Sequence, residues 1–326
     1  MNAEPTHREA VAALDGLELG ALKETSDRPG LLQLSGHLGL ILVSGTIVIY
    51  ADSWLVWGAA LLVYAIALMF LFCLEHEAIH GTAFRSRRLN LIIAETAGLP
   101  LLLPPRYFRY FHFAHHRHTQ DQARDPELAS PKPQTWTDYL MYLSGLPYWT
   151  AAVKGLVRHA LGRAEEDFIP PSGRAKVIAE ARIYVSVCVT LAGASLWFGW
   201  TWPLELWVLP ALLGQPFLRA YVLAEHAACP LVADMLSNSR TTYTNAAVRF
   251  LAWNMPYHAA HHAVPTVPFH RLPDLNGKLR DRLKSTACGY VAAHRQIRSA
   301  FGAAQSSTGN RDPSAIRQAP TSPRLR

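Results

Sequence analysis

The stretch GHLGLILVSGTIVIY (36–50), ADS (51–53), WLVWGAALLVYAIALMFLFCL (54–74) and EHEAIHG (75–81) decides how this chain folds. The first and third pieces are apolar and read as helices, the third long enough for the ~20 residues that cross a bilayer. A linker as short as Ala51–Asp52–Ser53 forces a hairpin whose two outer ends lie on the same side. Tyr50, Trp54 and Trp57 flank that turn, where aromatic side chains suit a membrane–water interface. The return arm runs without a break into 75–81, which places His76 and His80 at i, i+4 on one helical face.

The same logic recurs downstream. Ile183 to Trp200 and Leu204 to about Leu223 are joined by Thr201-Trp202-Pro203, and the return arm ends in A-E-H-A-A-C-P (224–230), which carries His226. No Lys or Arg occurs between Arg28 and Arg85 or between Arg182 and Arg219. Charged residues make up only 17% of the chain, against roughly 25% for soluble proteins. These features predict an all-α integral membrane protein with four transmembrane helices in two hairpins. The basic ends of both hairpins point to the cytoplasm under the positive-inside rule. The net charge of +7 is thereby explained without a nucleic-acid partner, and a bacterial inner membrane with both termini cytoplasmic is the expected location.

Between the hairpins, Leu89 to Pro105 is apolar but carries Glu95, and basic residues stand at both ends. It is expected to return to the side it left, as a re-entrant or interface-lying helix, with a full span as the alternative. Trp136 to Val157 is less hydrophobic and is expected at the membrane surface. Three regions follow: a flexible cytoplasmic lead-in (1–35), a membrane domain (36–302), and a disordered tail (303–326) rich in Ser, Pro and Arg. Cys73, Cys188, Cys229 and Cys288 form no C-x-x-C pair and read as apolar thiols. The N-terminus shows no pattern of a cleavable signal peptide.

The cytoplasmic ends of the helices collect the histidines. After H-E-A-I-H at 76–80 comes Y-F-H-F-A-H-H-R-H-T-Q-D-Q-A-R-D-P-E (110–127), with His112, His115 and His116 on one helical face. N-M-P-Y-H-A-A-H-H-A-V-P (254–265) repeats that spacing with His258, His261 and His262. With His226 this makes nine imidazoles on one side of the membrane. Clustered imidazoles repel when protonated, whereas neutral imidazole is the commonest metal ligand. One zinc takes about four ligands, so nine suggest two metals. All-nitrogen coordination suits iron, copper or zinc, and iron best handles oxygen chemistry. A site at the mouth of a membrane bundle is reached by a lipid-dissolved chain. Its unactivated C–H bonds offer acid–base catalysis no purchase. These residues predict a cytoplasmic helical cap holding a di-metal site that oxidises lipids.

At these residues the sequence resembles the membrane-bound fatty acid desaturase superfamily over roughly 36–285. F-R-Y-F-H-F-A-H-H-R-H-T-Q-D and A-W-N-M-P-Y-H-A-A-H-H look most like its bacterial branch of desaturase-like hydrocarbon oxygenases. H-H-R-H with Asp125-Pro126 and Y-H-x-x-H-H-x-x-P also look like carotenoid ketolases. The resemblance implies a di-iron, O2-dependent enzyme that desaturates or hydroxylates a lipid chain, with carotenoid ketolation or hydroxylation as the alternative. It implies iron ligation by His76, His80, His112, His115, His116, His226, His258, His261 and His262. It also implies electrons from a separate ferredoxin, rubredoxin or cytochrome b5, since no fused H-P-G-G motif or cysteine cluster is present.

Competing readings exist for several of these residues. H-E-A-I-H also fits the H-E-x-x-H pattern of zinc proteases, which would make the chain an intramembrane metalloprotease and leave two boxes unexplained. A membrane metal carrier is a third class. Asp125 is a candidate to accept a hydrogen bond from a ligand imidazole, or alternatively a helix cap. Asn254 and His118 are candidates to support the site from nearby. Glu75 or Glu77 is expected to orient a ligand or pair with an arginine. His7, His37, His159 and His294 read as surface or interfacial, and His270 as near the site without ligating.

Overall fold

The computed structural model describes residues 6–301; the expected C-terminal tail lies outside the described residues. Four helices are long and apolar enough to cross a membrane: Asp27–Tyr50, Trp54–His80, Pro171–Phe198 and Leu204–His226. Apart from two three-residue strands, Thr241–Tyr243 and Thr286–Cys288, paired in parallel, the regular structure among the described residues is helical. This is the all-helical membrane architecture that the hairpins predict.

Two helix starts differ from the sequence reading. The first spanning helix begins at Asp27 rather than Gly36, and the third at Pro171 rather than Ile183. Apolarity marks the part of a helix that lies in lipid, whereas the helix itself continues into water. Asp27 suits the positive end of the helix dipole, and Pro171 occupies the first turn, where its missing N–H costs nothing. Part of the lead-in read as flexible is also helical. His7–Ala12 is closed by a reciprocal Thr6–Glu9 capping box, and Gly16–Leu22 starts at Asp15, whose carboxylate accepts from Leu17 and Glu18 N–H.

The spanning helices expose large apolar side chains outward, among them Leu42, Ile49, Leu55, Ile183, Val189 and Leu196. A belt of that size is stable only against lipid. The inward contact between helices relies on small residues. A Cβ on Gly214 would come 2.1 Å from the Ala65 carbonyl oxygen, so the fourth helix can approach the second only because this position is glycine. The third helix instead leans on Leu146–Ala160 and Pro105–His118. The arms of the second hairpin therefore take different partners.

Arg87–Gly98 has 12 residues, about 18 Å of helix, which is too short for a ~30 Å hydrocarbon core. A short 3-10 turn, Leu99–Leu101, follows, and Leu102 at φ 52° reverses the chain before Pro104 and Pro105. Among the described residues this segment is not a full span. The surface region folds as Trp136–Leu143 and Leu146–Ala160. Large buried side chains of the cap, including Phe84, Trp253, Leu272 and Leu275, belong to one core that continues into the spanning helices through Leu61, Met69 and Leu218.

Candidate metal centre

Four elements deliver the nine histidines to one place. The second spanning helix ends in His76 and His80, and Gly81 at φ 77° closes it in the left-handed conformation that glycine adopts freely. Pro105–His118 carries His112, His115 and His116, and the fourth spanning helix ends at His226. The last box lies on the short helix His258–Ala263. It is aimed by two consecutive left-handed residues, Trp253 at φ 50° and Asn254 at φ 56°. That backbone carries strain, which a fully buried Trp253 and the Asn254 Nδ2–Phe269 carbonyl hydrogen bond of 3.1 Å hold in place.

The imidazoles separate into two groups. His76, His80, His112, His116 and His261 form one, and His115, His226 and His262 the other. His258 joins the second group through a 2.9 Å contact between its Nε2 and that of His226. Within the first group His112 Nε2 lies 2.9 Å from both His80 Nε2 and His116 Nε2, and His116 Nε2 lies 3.2 Å from His261 Nε2. His115 and His226 approach to 3.1 Å. The rings of His116 and His262 stack at 4.0 Å between the two groups.

Proton positions show why such contacts need a cation. The Nδ1 of His115 faces Asp125 Oδ1 at 2.9 Å, and the Nδ1 of His226 faces the Asn238 carbonyl at 3.2 Å. Thr119 donates its hydroxyl to the His115 carbonyl, so its oxygen accepts from His262 Nδ1 at 3.2 Å. Each of these rings therefore carries its proton outward and turns an Nε2 lone pair inward. Two lone pairs facing at 3.1 Å repel unless a positive ion lies between them. Nitrogens about 2.1 Å from one metal, at right angles, stand about 3.0 Å apart, which matches the observed spacings. Burial, reinforced by neighbouring histidines, pushes His112, His116, His258, His261 and His262 well below the ordinary imidazole pKa. At neutral pH these rings are uncharged and ready to ligate. The donor set fits two metal ions, five nitrogens facing one and four the other.

Several supporting contacts are not evident from sequence spacing. Glu127 Oε2 lies 3.2 Å from His115 Nδ1, and Glu225 Oε1 lies 3.3 Å from His258 Nδ1. Burial opposes ionisation of Glu127, yet the Lys132 ammonium holds its carboxyl well below the usual range. The only hints in sequence are adjacency: Glu127 closes the D-P-E triplet and Glu225 precedes His226. Asp125 fills both roles considered for it, since it accepts from His115 and also caps the turn through Glu127 N–H at 2.9 Å.

Other candidates fall elsewhere. His118 belongs to neither group, and Asn254 is committed to Phe269. Glu77 bonds Thr82 Oγ1 at 2.9 Å and Phe269 N–H at 3.1 Å, while Glu75 is buried with no hydrogen-bond partner. His37, His159 and His294 are buried rather than superficial. Each has a hydrogen-bond partner: His37 the Ala67 carbonyl, His159 the nearby Glu166 and His294 Tyr139. His7 is partly buried beside Asp234.

A cavity of about 350 Å³ opens onto both groups. His76 and His112 border it from the first, His115, His226 and His258 from the second, and Phe72, Leu103, Phe108 and Phe111 supply apolar wall. That volume suits a chain-like apolar ligand.

Comparison with known proteins agrees with this geometry. The sequence model of the family described as "Fatty acid desaturase" matches residues 52–293. An sn-1 acyl-lipid omega-3 desaturase (ferredoxin) from Synechocystis sp. is 24% identical over 198 residues, covering 58% of this chain and 55% of that protein. The protein of the same description from Nostoc sp. is 22% identical over 248 residues, covering 68% of this chain and 67% of its own length. The chloroplastic omega-3 fatty acid desaturase of Glycine max is 22% identical over 246 residues, covering 68% and 54% respectively. The matched part of the chain thus spans little more than half to two thirds of these relatives.

Proposed function

The chain belongs to the fatty acid desaturase family, and from that premise we propose that it is a di-iron enzyme that introduces a double bond into the hydrocarbon chain of a membrane lipid. The observation that carries this reading is the apolar cavity bordered by both histidine groups. His76, His80, His112, His116 and His261 would hold one iron, and His115, His226, His258 and His262 the other. When bound, the irons supply the O2-dependent removal of hydrogen from an unactivated carbon. Two hydrogens leave adjacent carbons and, with two electrons and two protons from outside, reduce O2 to two waters. The electrons come from a separate protein, and the ferredoxin in the relatives' names makes that donor the first to test. The active site faces the cytoplasm of a bacterial cell. Hydroxylation shares the first hydrogen removal and is the second outcome the site allows.

This chain's own residues set the geometry. Asp125, Asn238 and Thr119 fix the inward lone pairs of His115, His226 and His262, and the aromatic wall keeps water from the reacting chain. The protease reading needs Glu77 at the metal, yet Glu77 stands outside both histidine groups, and its Oε2 accepts from Thr82 and Phe269. Removing the Asp125 carboxylate takes away the nearer of the two acceptors that face His115 Nδ1 and uncaps the turn at 126. Asp125→Ala is expected to weaken iron retention at the second group by about 10–100-fold, read as iron kept after dialysis against graded chelator. The proposed reaction itself is tested by expression in a host lacking the gene, with mass spectrometry of total lipids. New lipids two mass units lighter are expected. A lipid profile unchanged by an iron-loaded protein supplied with ferredoxin and its reductase contradicts the proposal.

A further inference from the structure

Four charged side chains border the cavity, and three are engaged. Lys132 pairs with Glu127, Glu127 also reaches His115, and Glu225 lies 3.3 Å from His258 Nδ1. The fourth, Arg219, makes no ion pair or hydrogen bond among the described residues, and its Nε is buried without a partner. It stands in the fourth spanning helix, seven residues before His226, or about 10.5 Å along the helix axis. Its guanidinium carbon lies 4.5 Å from the Tyr148 ring centroid and 6.0 Å from that of Tyr142. Those contacts engage π clouds and leave the N–H donors unspent.

An arginine within a spanning helix is costly unless it is paired or serves a ligand. Here no carboxylate forms an ion pair with it among the described residues: Glu225, which feels the Arg219 charge, faces His258 Nδ1 instead, and the guanidinium borders the cavity. A guanidinium presents parallel N–H donors that match the two oxygens of a carboxylate or phosphate. We propose that Arg219 anchors the anionic end of the substrate. It binds an oxyanion, while the attached apolar chain runs along the cavity to the histidines. The site then selects acidic amphiphiles over neutral chains of equal length. Arg219 also fixes which carbon reaches the metal groups, because the chain is measured from a fixed point two helical turns away. This inference rests on the reading of the cavity as the lipid site.

The test is equilibrium binding to the full-length, iron-loaded protein in neutral detergent at about pH 8, above the carboxylate range. The probes are radiolabelled oleate, oleoyl-lysophosphatidate and oleyl alcohol, which share one chain and differ in the head. At least one acid is expected to bind tenfold or more tighter than the alcohol. Arg219→Gln should erase that advantage and leave alcohol binding unchanged, while Arg219→Lys, which keeps the charge but not the fork, should retain part of it. The acid that loses more identifies the oxyanion as carboxylate or phosphate. Equal binding of all three probes to the wild-type protein overturns the proposal without any variant. So does an advantage that survives Arg219→Gln. Because no turnover is measured, intact discrimination in a protein that oxidises no lipid would reject the proposed reaction and leave this anchor standing.

Discussion

Replacing His112 with alanine is expected to bring lipid oxidation down to the background of membranes without the enzyme. His112 Nε2 sits 2.9 Å from both His80 and His116, so it is central to the first group and not a peripheral member. Without it four imidazoles remain, and the ring that separates His80 from His116 is gone. No nearby carboxylate can substitute, since Glu75 and Glu77 belong to the same helix as His76 but stand outside both groups. Bound iron should fall with activity, while membrane insertion survives, because the spanning helices owe nothing to this side chain. His261→Ala should behave alike, its Nε2 lying 3.2 Å from His116. The control is His118→Ala, on the same helix but outside both groups, which should keep activity within about twofold, as a substitution away from any special feature does. Lipid analysis with iron per chain reads all three. A His112→Ala protein with wild-type turnover would remove the first group from the mechanism.

The second large effect concerns His226, the histidine with no neighbour in sequence. His226→Ala is expected to lower iron from two per chain to about one, because the loss is confined to the second group. Its Nε2 contacts His115 at 3.1 Å and His258 at 2.9 Å, and it makes no contact with the first five. Three nitrogens from His115, His258 and His262 hold a metal more weakly than four. Activity should vanish with the second ion, giving a protein that carries iron but does not turn over. Two irons retained after chelator dialysis would show that His226 only supports the site.

These two residues mark how far the sequence alone can be read. His112, His115 and His116 declare themselves, since helical spacing puts three imidazoles on one face whatever the rest of the chain does. The hairpins are equally legible: a three-residue turn between two apolar runs leaves little choice of topology, and it gathers the boxes on one side. His226 could be placed by topology, but its orientation depends on the Asn238 carbonyl, which only the folded chain brings to its Nδ1. The division of the nine histidines into five and four is also invisible, because His115 and His116 are adjacent in sequence yet fall in different groups. His37 and His294 look superficial in a sequence because their partners are remote; Ala67 is 30 positions from His37, and Tyr139 is 155 from His294. Arg219 bounds a gap without Lys or Arg in the sequence, and only the structure shows that it borders the cavity.

Metal content of the purified full-length protein, expressed with both iron and zinc available, tests the central claim most directly. Two irons per chain, with little zinc, is the predicted result. One zinc per chain, or no metal held through purification, would contradict the di-iron assignment and with it the proposed reaction.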